Sequence, residues 1–209
     1  MKVFLAVFLA LLVTGCAAPV TKSDFSAFQA AKPRSILVVP AVNKSLDVDA
    51  PNYLLTTLSV PLAEKGFYVF PVHTMRTVLE QEGLYEGDAI HQQPPQALAS
   101  LFGADAVLYV TINRWDAQYA LITTTVTVNF DYRLVAKDGT ELWKANKQMQ
   151  YAPQTQNTGH PLGNLIAAAV SAALTRADPN YLPLAVMAND QVFNIGPTAI
   201  PVGPYRVVN

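Results

Sequence analysis

Over residues 122–134 apolar and polar side chains alternate. Ile122, Thr124, Val126, Val128, Phe130, Tyr132 and Leu134 share one face, while Thr123, Thr125, Thr127, Asn129, Asp131 and Arg133 share the other. A period of two predicts a strand with one buried side and one wet side. Asp138-Gly139 follows, a pair suited to a two-residue hairpin turn because glycine tolerates positive φ. A return strand is predicted over 140–151, with Trp143, Ala145, Met149 and Tyr151 on one side. The second half of the chain therefore carries a long antiparallel hairpin.

The first half has a different grammar. Residues 35–39 and 67–70 are short, mainly apolar runs closed by Pro40 and Pro71, and 104–112 reads as a third strand. Such runs suit strands covered on both faces. Pro51 opens a helix with Leu54, Leu55, Leu58 and Leu62 on one side, bent by Pro61 and stopped by Gly66. Thr74 is placed to cap a short helix carrying Met75, Val78 and Leu79, ended by Gly83. Pro94 or Pro95 opens another, with Ala97, Leu98, Leu101 and Phe102 before Gly103. This order predicts helical crossovers and a partly parallel sheet. Residues 43–50 and 154–159 read as polar loops, and a helix is predicted over 161–176. From Pro179 onward five prolines predict an irregular tail, laid across the body because Val192, Phe193 and Ile195 need cover. The fold class is α+β (mixed α/β): one domain over 34–209, with a mixed sheet of about five strands and helices packed on it.

The start of the chain obeys other constraints. Lys2 precedes eleven apolar residues, 3–13. At about 1.5 Å per helical residue these cannot cross a hydrocarbon core of about 30 Å. A positive start, a short apolar run and small residues after it describe a secretory signal peptide over residues 1–15. Leu12-Val13-Thr14-Gly15-Cys16 resembles the bacterial lipobox. That resemblance implies a diacylglyceryl thioether on Cys16, cleavage between Gly15 and Cys16, and acylation of the new amino group, the partner being a membrane. The alternative is a secreted protein with a coincidental cysteine. Ala17 stands where an Asp tends to retain lipoproteins in the inner membrane, so the analogy favours the outer membrane, facing the periplasm. Residues 16–33 read as a small, polar tether, its end soft because Phe25 and Phe28 are candidates to pack on the body. About seventeen such residues reach at most about 60 Å.

Composition narrows the rest. Removing the leader leaves about 194 residues, enough for one substantial core. Losing Lys2 takes the formal charge from −1 to −2, and without a basic surplus nucleic acid is not an expected partner. With the single Cys consumed by lipid, no thiol remains for an intrachain disulfide.

The search for reactive constellations yields little. His73, His91 and His160 lack metal-ligand spacing and read as surface or loop residues. Asn43-Lys44-Ser45 lacks the glycines of a phosphate loop. Asp47/Asp49 and Glu80/Glu82 read as solvated pairs rather than a catalytic dyad. No cofactor, metal or catalytic residue is expected, and the chain reads as a non-enzyme. Trp115, Tyr119, Tyr132, Trp143 and Tyr151 cluster on the hairpin. They admit two readings: sheet packing, or an exposed partner-binding patch centred on Trp115, Tyr119 and Trp143.

The run Gly103-Ala-Asp-Ala-Val-Leu-Tyr-Val-Thr-Ile-Asn-Arg-Trp115, then Tyr119, Gly139-Thr-Glu-Leu-Trp143 and Gly203-Pro204-Tyr205, resembles a family of bacterial lipoproteins of unknown function that includes a meningococcal lipoprotein antigen. The resemblance implies a domain similar to curli-channel-type and TolB amino-terminal-type domains. It also implies docking on other envelope lipoproteins similar to the curli secretion channel. Two rival roles remain: a lipoprotein activator of a peptidoglycan synthase, and an envelope hydrolase using a convergent His and acidic pair.

Overall fold

The computed structural model describes residues 24–120, 123–151 and 181–206, with side chains left out over 119–124. The leader, Cys16, the loop over 154–159 and the helix predicted over 161–176 lie outside the described residues. The described elements are α1 (Ser26–Ala31), β1 (Ser35–Val38), β2 (Val42–Asn43), α2 (Ala50–Glu64), β3 (Tyr68–Val69), α3 (Val72–Gln81), α4 (Gly87–His91), α5 (Pro95–Phe102), β4 (Ala106–Ala120), β5 (Thr123–Ala136), β6 (Glu141–Tyr151) and α6 (Leu182–Asn194).

They build one mixed sheet in the order β3-β1-β4-β5-β6, with β2 also beside β4. The short apolar strands pair in parallel and the long hairpin strands antiparallel. The mixed α+β single domain expected from the pattern is the one observed, with six strands rather than about five. The step from β1 to β3 runs one way along the sheet, and the step from β3 to β4 runs back. Crossovers of one hand therefore put α2 on one face and α3–α5 on the other.

The α2 face is the main core. Val126, Val128, Phe130, Tyr132 and Leu134 are all buried there, as the alternation required. Leu54, Leu55, Leu58 and Leu62 of α2 cover them together with Leu184, Ala188 and Phe193 of α6. Each buried Leu or Phe contributes roughly 1.5–3 kcal/mol. A buried polar relay crosses this core. Tyr132 Oη donates to Asn189 Oδ1 at 2.5 Å, Asn189 Nδ2 donates to Thr57 Oγ1 at 2.5 Å, and Thr57 Oγ1 donates to Leu54 O at 2.6 Å.

Four local expectations need correction. The tail is not irregular throughout, because α6 occupies 182–194. Its Pro183 sits in the first turn, where the missing N–H would be unbonded anyway. Val192 and Phe193 are buried, but Ile195 is exposed. Thr74 is not a cap, since α3 begins at Val72 after Pro71. The hairpin loop spans residues 137–140 rather than two, with Gly139 at φ 92° and Gly139 N donating to Ala136 O. Finally, α1 falls inside the expected tether of residues 16–33. Phe28 is buried edge-on against Phe67, so the packed body starts by Ser26. From Cys16 to Asp24 the chain spans at most about 28 Å, not about 60 Å.

Downstream of α6 the chain does lie across the body. Gly203 N donates to Lys65 O at 2.9 Å and Tyr205 N to Gly66 O at 3.0 Å. Gly66, at φ 97°, ends α2 with no room for a side chain against the backbone of Arg206. Among the described residues no helix is long and apolar enough to cross a membrane.

Candidate functional site

Of the two readings of the hairpin aromatics, the described residues follow sheet packing rather than an exposed patch. Trp115 is 2% exposed and packs against Phe130 and Tyr181. Trp143 is 4% exposed, packs at a tilt against Tyr132 and Phe193, and donates from Nε1 to Thr198 O at 2.8 Å. Both belong to the core, where Trp115 Nε1 bonds no described group. The side chain of Tyr119 lies outside the described residues, as do Gly15 and Cys16. The cause of Trp115's burial is a bulge. Ile112 pairs with Phe130 but Arg114 with Asn129, so Asn113 is an extra residue in β4. The bulge inverts the parity of everything after it and turns Trp115 inward.

Two surfaces carry the features that a buried patch cannot. The first lies where β1 and β2 end. Pro40, Ala41 and Asn43 form one wall of a cleft of about 410 Å³, and Arg76, Glu80, Tyr85, Glu86 and Asp88, from α3, α4 and the loop between them, form another. Gly87 lets α4 approach this closely, because a Cβ there would strike the carbonyl of Ala41. Above the cleft stands the loop over 43–49. Its shape is set by side chains bonding backbone. Asn43 Nδ2 donates to Asp47 O at 2.8 Å, Asn43 Oδ1 accepts from Ser45 N at 3.0 Å, and Asp47 Oδ1 accepts from Asp49 N at 2.9 Å. This framework displays Leu46 at 101% exposure and Val48 at 83%, with Tyr85 at 69% beside the cleft. The surroundings are acidic: Asp47, Asp49, Glu80, Glu86 and Asp88 outnumber Lys44 and Arg76. Arg76 Nη2 donates to Asn52 Oδ1, while its buried Nε bonds no described group.

The second surface is the open face of the β4-β5-β6 ribbon. Tyr109, Arg133 and Lys144 lie side by side across the three strands, and Thr111, Asp131 and Asn146 form the next row. With His91 and Glu141 they line a groove of about 550 Å³. Asp131 accepts from Asn113 Nδ2 at 2.6 Å and from Asn146 Nδ2 at 2.7 Å. Asn129 extends this ladder, accepting from Asn113 and donating to Gln148 Oε1 at 3.0 Å. The Arg133 guanidinium carbon lies 4.9 Å from the Tyr109 ring centre, within cation–π range. His91 Nε2 lies 3.0 Å from Pro40 O, and burial holds its pKa below the ordinary value, so Nε2 is the protonated nitrogen of a neutral ring.

Of the other sequence candidates, His73 lies exposed on α3 and lines neither surface, and His160 is outside the described residues. Glu80 lines the cleft, whereas Asp47 and Asp49 build the loop. Among the described residues no three His, Cys, Asp or Glu side chains converge to hold a metal. Sequence reading missed both surfaces. Leu46 and Val48 sit in a polar segment without period, and the polar row belongs to a strand face that alternation marks only as wet.

Comparison with known proteins adds the relationships. The family model described as "putative lipoprotein GNA1162-like" matches residues 23–205. A lipoprotein of Neisseria meningitidis serogroup B, NMB1124/NMB1162, is 37% identical over 149 residues, covering 71% of this chain and 69% of that protein. The crystal structure of lipoprotein GNA1162 from Neisseria meningitidis aligns at 35% identity and TM-score 0.58, over 69% of this chain and all of the other. A PelC dodecamer from Paraburkholderia phytofirmans aligns at 14% identity and TM-score 0.47, over 81% of this chain and 91% of that one.

Proposed function

The chain belongs to the GNA1162-like lipoprotein family, and on that premise we propose that it is a non-enzymatic assembly component of the bacterial envelope. Acyl chains on Cys16 hold it on the outer membrane, facing the periplasm. Several acyl chains make such attachment stable, where a single chain binds only marginally. The domain docks on another envelope lipoprotein, of the kind similar to the curli secretion channel.

One observation supports docking above the rest: a fully exposed Leu46 on a loop that its own side chains hold in place. An exposed leucine on a preorganised loop loses little entropy when it enters a pocket. The loop also lies at the far end of the sheet from α1. α1 lies where β1 starts, beside Ala106, whereas β2 ends beside Ile112, about 20 Å further along the sheet at about 3.3 Å per residue. This separation favours a Leu46 that meets a protein rather than the bilayer. The acidic surroundings fit a partner whose apolar pocket has a basic rim. The synthase-activator role depended on long reach, and the shortened tether removes that support.

Photocrosslinking in living cells tests this reading. A photoreactive residue at position 46 is expected to give a discrete adduct with an envelope lipoprotein, and Val48→Asp to abolish it. The same adducts from position 56, on the exposed side of α2, would show the contact to be nonspecific and refute docking at the loop. Cys16→Ala is expected to release the protein from membranes; retention at the same level would refute the anchor.

A further inference from the structure

We propose that the groove on the open face of the ribbon binds a carboxylate-bearing saccharide. The first observation is Tyr109. It is 3% exposed, yet its Oη bonds no described group, although it lines a groove open to solvent. Buried hydroxyls are nearly always paired, so this donor points to an acceptor that arrives from outside.

The second observation is the charge beside it. Arg133 lies opposite Tyr109 and makes no ion pair among the described residues; its guanidinium rests over the phenol ring. Lys144 lies opposite Arg133 on the far strand, paired with Glu141 at 3.0 Å on the surface. This row offers a buried O–H donor and a planar guanidinium, the arrangement that takes a carboxylate with two charge-assisted hydrogen bonds.

The next row offers the reverse polarity. Asp131 lines the groove and is held by the amides of Asn113 and Asn146, and its carboxylate, with more lone pairs than these two bonds use, is an acceptor there. Rows on one face of a strand lie about 6.8 Å apart. The ligand is therefore anionic at one end and rich in hydroxyl donors at the other. A second negative charge at the far end would meet Asp131 and be repelled.

The test is an NMR titration of the chain carrying Cys16→Ala, with D-glucuronate, D-glucose and acetate as separate probes. Glucuronate is expected to shift the amides of Thr111, Arg133 and Lys144, and the other two to shift them at least about tenfold more weakly. Arg133→Gln changes an exposed side chain and is expected to weaken glucuronate by about tenfold or more. Tyr109→Phe is expected to weaken it as well while leaving the unfolding midpoint unchanged or higher, since the lost hydroxyl had no partner in the free protein. The proposal is overturned by silence of these amides toward glucuronate, by equal responses to acetate, or by unchanged affinity in Arg133→Gln. A clear loss of stability in Tyr109→Phe also sinks it, because the hydroxyl then has an internal partner. Val48→Asp leaves glucuronate binding intact on this view, which separates the groove from the docking loop.

Discussion

Asn189→Leu probes the polar relay that crosses the core. Asn189 is fully buried and joins three elements: it accepts from Tyr132 of β5 and donates to Thr57 of α2, from its own place in α6. Burial drives the Tyr132 pKa well above its ordinary value, so the hydroxyl keeps its proton at neutral pH. Leucine keeps the same branched skeleton without the polar atoms, and its bulkier methyl groups can only add an overpacking cost to the polar loss. Tyr132 then keeps a buried donor with no acceptor, costing about 1–3 kcal/mol, and the Thr57 bond is lost for about 1 kcal/mol more. The expected destabilisation is thus about 2–4 kcal/mol. In a domain of this size each kcal/mol lowers the melting temperature by about 2–4 °C. Urea unfolding followed by circular dichroism, on protein carrying Cys16→Ala, measures it. Tyr132→Phe alone leaves Asn189 Oδ1 without its donor and is expected to cost about 1–3 kcal/mol. The double variant removes both partners, so its cost falls below the sum of the singles by about 1–2 kcal/mol. Strict additivity, or a loss below about 0.5 kcal/mol for Asn189→Leu, would refute the relay as a stabilising unit.

Gly66→Ala meets a positive φ and the backbone of Arg206 together, so it is expected to cost more than about 1 kcal/mol and to loosen the 203–206 segment, read by faster amide exchange at Gly203 and Tyr205. Asp105→Ala removes the acceptor of Arg34 N, Ser35 N and Ser35 Oγ at the starts of β1 and β4, with an expected loss of about 1–3 kcal/mol in urea unfolding; the accompanying ion pair to exposed Arg34, at 3.8 Å, adds little. For His91 the sign follows from its lowered pKa. The unfolded chain binds the proton more readily, so stability is complete above the unfolded value near 6.5 and is lost as pH falls below it toward the folded value. His91→Gln is expected to flatten that part of the stability profile, and an unchanged profile would refute it.

The parts of the fold that sequence shows are those where one physical demand acts alone. Alternation over 122–134 states which side of β5 is buried, and Val128, Phe130 and Leu134 lie there fully buried. Gly103, at φ 68°, stops α5 where a side chain would be strained. Legibility fails where two demands compete. Pro183 marks a helix start as well as a turn, and its company of prolines concealed α6. The bulge at Asn113 carries no apolar signature, so the inward turn of Trp115 was open to two readings. The groove was least legible. Tyr109, Arg133 and Asp131 are ordinary residues in ordinary strands, and only the register brings them into adjacent rows.

The docking of α1 through Phe28 has a consequence for encounter rates. With the proposed lipid on Cys16, a leash of about 28 Å in place of about 60 Å confines the domain to about a tenth of the volume, since the accessible space scales with the cube of the reach. Neighbours anchored within the same patch of leaflet are then met at roughly tenfold higher local concentration, and anything beyond that shell is not met at all. Packing one small helix onto the body thus favours association between lipoproteins sharing a membrane surface, and does so without altering any contact between them.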